Sequence, residues 1–192
     1  VIDLEDRHAP PTIFLGFHFV AIGVGCMLYS MNMPVASLYT RMSNTRLCAL
    51  ARRQRGRFGA ELIERSTSAR KIVKRLQEGI PVMLAADMDH GTGNSVFVPF
   101  FGVPACTLTS VSKLARPAGA RVVPFVTEVL PDFRGYRLKV FAPLGDFPSG
   151  NDAGDASDIN AFLEVQIMKI PAQYYWVHRR FKHRPPGLPG VY

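Results

Sequence analysis

Residues 11–29 read PTIFLGFHFVAIGVGCMLY, an almost wholly apolar stretch with one histidine, His18, at its middle. Thr12 to His18 is rich in β-branched and aromatic side chains and predicts a buried strand. From Phe19 the run is too long to be one strand, so a helix is expected to begin just after the histidine. That order places His18 at the carboxyl end of a strand, where open α/β sheets keep their chemistry. The same residues allow two blander readings. No Lys, Arg, Asp or Glu occurs between His8 and Arg41, a length sufficient for a membrane-spanning helix. Gly16, Gly23, Gly25, Asn32, Pro34 and the histidine itself oppose that reading. A lone histidine in an apolar run is also commonly a satisfied core residue.

Outward from this stretch, strand and helix patterns alternate. Pro34 to Tyr39 reads as a strand, and Asn44 can cap a helix to about Arg55 with Leu47, Leu50 and Ala51 on its packed face. The other positions of that helix are basic: Arg46, Arg52, Arg53 and Arg55. Glu61 to Glu64 is a short strand. A helix capped within Ser66 to Ser68 then buries Ala69, Ile72, Val73 and Leu76. Pro81 to Ala86 is a strongly buried strand, Val96 to Phe101 continues apolar, and Thr107 to Ala115 predicts a helix broken at Pro117. Arg121 to Val129 and Tyr136 to Phe141 are strands joined by a turn, and Asp158 to Ile170 is an amphipathic helix after a loop from Gly145. The alternation predicts an α/β fold in one domain over residues 1–192, a mixed, mostly parallel sheet flanked by helices.

Composition narrows the classes. Of 192 residues, 47% are hydrophobic and 20% charged, which is globular rather than disordered. A formal net charge of +8 points to an anionic partner: nucleic acid, a membrane surface or an acidic protein. The three cysteines, Cys26, Cys48 and Cys106, are too scattered for a disulfide framework or a CxxC metal site, so a reducing compartment is the default. The chain opens at Val1 without a signal-peptide pattern and reads as a piece of something longer.

Beyond His18, the carboxylates of Asp87 and Asp89 follow the buried strand at 81–86, and burying them idle would be costly. Asp87-Met88-Asp89 has the D-x-D form with which some glycosyltransferases hold a metal on a nucleotide sugar, while a hydrogen-bonding role serves equally well. His178 and His183 lack the cysteine partners of a zinc site, and no metal site is expected. The tail from Gln173 to Pro185 mixes aromatic and basic residues without any nucleic-acid-binding signature, and such a mixture suits an anionic membrane interface. No Walker loop, GxSxG elbow or GxGxxG fingerprint is present, so no cofactor is expected.

Five motifs, GFHF at 16–19, LYTR at 38–41, ADMDHG at 86–91, VPFFGVPA at 98–105 and QYYWVHRRFKHRP at 173–185, together resemble the late acyltransferases of bacterial lipid A biosynthesis. These belong to the wider lysophospholipid acyltransferase superfamily, and the motifs span nearly the whole chain. The resemblance implies a glycerol-phosphate acyltransferase-like architecture and a preceding amino-terminal membrane anchor. It implies acyl transfer from acyl-acyl carrier protein to a hydroxyl of a lipid A precursor, at the cytoplasmic face of the inner membrane. In that pattern His18 is the general base, Thr40 and Arg41 bind substrate or the developing oxyanion, and Asp87 and Asp89 line the acceptor pocket. An anionic membrane is the further partner, and nucleic acid is not.

One position departs from the family. Its signature is His-x4-Asp/Glu, and Gly23 stands where the carboxylate belongs. A carboxylate there fixes the imidazole tautomer, and in serine proteases loss of the orienting carboxylate slows turnover about ten-thousand-fold. The chain has no Asp or Glu between Arg7 and Glu61, so only a distant residue such as Asp87 or Asp89 can substitute. The expectation is a weakened acyltransferase. The alternatives are a lipid-binding pseudoenzyme and a metal-dependent glycosyltransferase using Asp87 and Asp89.

Overall fold

The computed structural model describes residues 9–192. Its centre is a six-stranded sheet formed by β1 (Thr12–Gly16), β2 (Ala36–Tyr39), β3 (Glu61–Glu64), β4 (Val82–Ala85), β7 (Arg121–Val129) and β8 (Tyr136–Val140). The spatial order is β3-β2-β4-β1-β7-β8. The first five run parallel, and β8 returns antiparallel on β7. A separate antiparallel hairpin joins β5 (Ser95–Phe100) to β6 (Val103–Leu108). Among the described residues five α-helices accompany the strands: α1 (Ile22–Asn32), α2 (Thr45–Gly56), α3 (Ala69–Gln77), α4 (Ser110–Ala118) and α5 (Asp152–Lys169).

The apolar run at the start divides where its composition allows. β1 is buried at all five positions, between β4 and β7, as a central parallel strand must be. The glycines then separate in meaning. A Cβ at Gly16 would stand 2.7 Å from the Phe125 ring, and one at Gly25 would collide with the Thr127 hydroxyl, so both let the first strand and helix lie close against β7. At Gly23 a Cβ would meet nothing within 4 Å. The spanning-helix reading is thereby replaced by a strand, an eleven-residue helix and a second strand. Among the described residues no helix is long and apolar enough to cross a membrane.

Capping side chains mark two helix starts that the sequence predicted. Asn44 accepts from the amides of Arg46 and Leu47, and Ser68 accepts from that of Arg70. Four expectations are corrected. Leu47 and Leu50 are 56% and 54% exposed, and Cys48 is the buried residue of α2, so the apolar stripe faces away from the sheet. Thr107 and Leu108, expected to open a helix, instead end the strand Val103–Leu108, which pairs back on β5 through the Phe101-Gly102 turn, and α4 starts at Ser110. Pro117 does not break α4, which ends one residue later at a left-handed Gly119. Finally, α5 begins at Asp152 rather than Asp158, with Asn151 capping its first amides and Asp152 and Asp155 in its first turn.

Candidate active site

Parallel strands end on one edge, and that edge collects the functional side chains. His18 lies two residues past β1, Asp87 two past β4, Thr40 directly after β2 and Arg65 directly after β3. The histidine is held by its neighbours. Phe17 and Phe19 are each 1% exposed, the first stacked on Phe162 and the second edge-on to Tyr174. The carbonyl of His18 accepts from the amide of Tyr175 at 2.9 Å, which ties the tail to the same turn.

Asp87 is buried beneath the imidazole and grips it twice. The ring Nδ1 lies 2.6 Å from Oδ1, and the His18 backbone N–H donates to Oδ2 at 2.8 Å. A carboxylate can only accept, so Nδ1 carries the proton and the lone pair of the neutral ring sits on Nε2. Desolvation pulls the His18 pKa down, but the hydrogen bond and charge of Asp87 outweigh it, and the value lies above the usual 6.5 despite opposition from Arg55. For Asp87, burial works against ionisation. The contacts with His18 overcome it and hold the carboxyl below its usual range.

Two cavities meet at this ring. The larger, about 430 Å³, is lined by Thr40, Arg55, Arg65, His90, Ser110 and Lys113 among others. The smaller, about 150 Å³, has mainly apolar walls, including Gly23, Cys26, Met27, Met83 and Phe125. His18 lines both, as does Arg55. Burial, then the charge of Arg65, lowers the His90 pKa to about 4, so His90 is neutral. Burial raises the Cys26 thiol to about 11, which leaves it protonated and unreactive.

Asp89 points elsewhere. It accepts from the backbone amides of Gly91 and His183 and from the His183 ring at 2.7 Å, while its own N–H donates to His178 Nε2 at 2.8 Å. Arg180 is 4% exposed and donates to the Cys106 carbonyl, the Thr107 hydroxyl and Asn160 Oδ1. The basic-aromatic tail is therefore in part a clamp that fixes the loop after β4 and the β5–β6 hairpin. Its outer residues, Tyr175, Trp176 and Val177, remain exposed.

Of the residues singled out in the sequence, His18 and Thr40 stand on the larger cavity wall. Arg41 is exposed between two lining residues, Thr40 and Met42. Asp87 lies behind the histidine rather than on a cavity wall, and Asp89 is turned to the tail. The two carboxylates thus serve separate histidines, and among the described residues no group of three or more His, Cys, Asp or Glu side chains is placed to hold a metal. Sequence reasoning did not single out Arg65, His90 or Lys113 as site residues. The position of Arg65 directly after a strand was the available signal.

Comparison with known proteins points to one family. A family model described as bacterial lipid A biosynthesis acyltransferase matches residues 2–183. A lipid A biosynthesis lauroyltransferase of Escherichia coli is 36% identical over 94% of this chain and 59% of its own length. The palmitoleoyltransferase of the same organism is 32% identical over 93% and 58%, and the myristoyltransferase 28% over 97% and 58%. The chain therefore spans less than two thirds of the length of these relatives.

Proposed function

Because this chain belongs to the bacterial lipid A biosynthesis acyltransferase family, we propose that it transfers an acyl group from acyl-acyl carrier protein to a hydroxyl of a lipid A precursor, with His18 as general base. The observation that carries the reading is the 2.6 Å contact between His18 Nδ1 and Asp87 at the junction of two cavities.

In this reading the acceptor hydroxyl enters the larger, polar cavity and gives its proton to Nε2. Its oxygen bonds to the thioester carbonyl, the C–S bond then breaks, and the departing sulfur takes the proton back from the imidazolium. Asp87 keeps Nδ1–H aimed and stabilises the transient cation, the part that a carboxylate at position 23 plays in the family signature. The acyl chain occupies the apolar cavity, where Gly23 leaves its wall open. Thr40 contacts the acceptor, and Arg41 meets substrate from the rim. The tail aromatics and the positive surface face an anionic membrane, the cytoplasmic face of the inner membrane in this proposal.

The His18–Asp87 couple favours an enzyme over a lipid-binding remnant. The test is turnover of radiolabelled acyl-acyl carrier protein and lipid A precursor by the parent and by His18→Ala. Transfer by the parent and none by the variant is the expected result. Equal product from both would overturn the reading.

A further inference from the structure

The tail touches both sides of the His18–Asp87 couple within a short run of chain. On the His18 side it pairs as backbone. Phe19 and Tyr174 form an antiparallel bridge, the Val20 N–H donates to the Gln173 carbonyl at 2.8 Å, and the Tyr175 N–H donates to the His18 carbonyl at 2.9 Å. On the Asp87 side it uses a histidine ring: the Asp89 N–H donates to His178 Nε2 at 2.8 Å. A single turn joins the two anchors, closed by the His178 N–H donating to the Tyr175 carbonyl at 3.2 Å. Arg180 is aimed differently, with its donors on Cys106, Thr107 and Asn160, so its contribution is to the fold.

The loop that carries Asp87 needs such an anchor. Residues 86–91 belong to no helix or strand, so their position depends on what their polar groups touch. The joint also selects its residue type. Nε2 offers a lone pair to a backbone N–H only while the ring is neutral, with its proton on Nδ1. Burial and then the charge of Arg180 lower the His178 pKa, with a smaller push from His18 and against the charges of Asp87 and Asp89, and the ring stays neutral. Misplacing a catalytic group by about 1 Å can cost about a hundredfold in rate.

We infer that His178 is a positioning residue: by accepting the Asp89 N–H while the adjoining tail backbone holds the His18 carbonyl, it fixes the Asp87 loop at the height that gives the 2.6 Å contact with the imidazole. His178 lines neither cavity beside His18 and acts only through Asp87. The effect on rate rests on the acyl-transfer reading, whereas the effect on the couple's geometry does not.

The experiment compares His178→Gln, His178→Asn and His178→Leu in the full chain, below the melting temperature of every variant. The Gln amide oxygen stands near the place of Nε2 and can accept the same N–H; the Asn side chain is too short, and Leu has no acceptor. Two readouts are taken: acyl-transfer kinetics across pH, and the far-downfield proton resonance of His18 Nδ1 in its short bond to Asp87. In the Asn and Leu variants kcat should fall about tenfold to a hundredfold with KM near the parent's. Their acidic limb should move below the parent's, because the Asp87 contact that raises the His18 pKa weakens while burial and Arg55 still lower it. The resonance should broaden or vanish in both, and His178→Gln should keep it together with a rate within about threefold of the parent's. A parent without the resonance, a Leu or Asn variant that keeps the parent's resonance and acidic limb, or a Gln variant no better than Asn would overturn the inference. A parent that transfers no acyl group would overturn the reaction, and the resonance and the titration of His18 would still decide the role of His178.

Discussion

Asp87 holds His18 by ring and backbone at once, with one carboxylate oxygen 2.6 Å from Nδ1 and the other accepting the residue's own N–H at 2.8 Å. The two residues are 69 positions apart, one after each of two adjacent parallel strands. The imidazole is thus oriented from β4 without any group at position 23.

This couple sets the expected pH dependence. A general base must be neutral, so kcat/KM should fall as pH drops through the His18 pKa, which lies above 6.5. Asp87→Asn removes the contacts that raise that pKa, leaving burial and Arg55 to lower it. The acidic limb should therefore move below its position in the parent. The linkage sign is opposite for stability: a raised folded pKa stabilises the fold below the unfolded value, and that contribution is lost as pH rises through the folded one. Parallel pH–rate and pH–melting profiles check both directions.

Gly23→Glu has room, since a Cβ there meets nothing within 4 Å. With Asp87 already on Nδ1, restoring the signature carboxylate should change kcat by less than about tenfold, against the ten-thousand-fold penalty expected of a missing orienting group. A gain of a thousandfold would instead support the expectation that the enzyme is weakened by Gly23. Steady-state rates of the two proteins decide it.

The apolar cavity beside His18 should set the preferred acyl length. Cys26→Phe places a ring in that chamber and should shift preference toward shorter donors. A methylene of difference in an apolar pocket is worth about tenfold or more in discrimination. Competition between donors of two chain lengths measures the shift.

The tail clamp predicts a stability effect separate from catalysis. Arg180→Met strands the Cys106 carbonyl and Asn160 Oδ1 without their buried donor. It should cost about 2–4 kcal/mol. Arg179→Met, at an exposed neighbour resting over Tyr192, should cost under about 1 kcal/mol. Thermal or denaturant melts distinguish the two.

Local chemistry made much of this fold legible before the structure. The caps at Asn44 and Ser68 are short-range features, written in residues that touch within a few positions. The stripe at Leu47 and Leu50 shows why periodicity is weaker evidence: it marks a face without saying which way the face turns. The early start of α5 was hidden by Gly154, which reads as loop until Asn151 caps the turn before it. The site divides in the same way. His18 was visible as a polar residue where none belonged, and Asp87 as a carboxylate ending a buried strand. Their contact, and the gathering of Arg55, Arg65 and Lys113, exist only once parallel strands bring distant segments to one edge.

The most direct measurement is the turnover of Asp87→Asn, an isosteric change, in a carrier-protein-dependent acyl transfer assay. If Asp87 orients the catalytic imidazole, kcat should fall about a thousandfold or more with the acceptor KM near the parent's, in a variant that still melts above the assay temperature although the lost buried contact lowers its melting temperature. A variant that keeps the parent's kcat would contradict the assignment and return the orienting role to a group not yet identified.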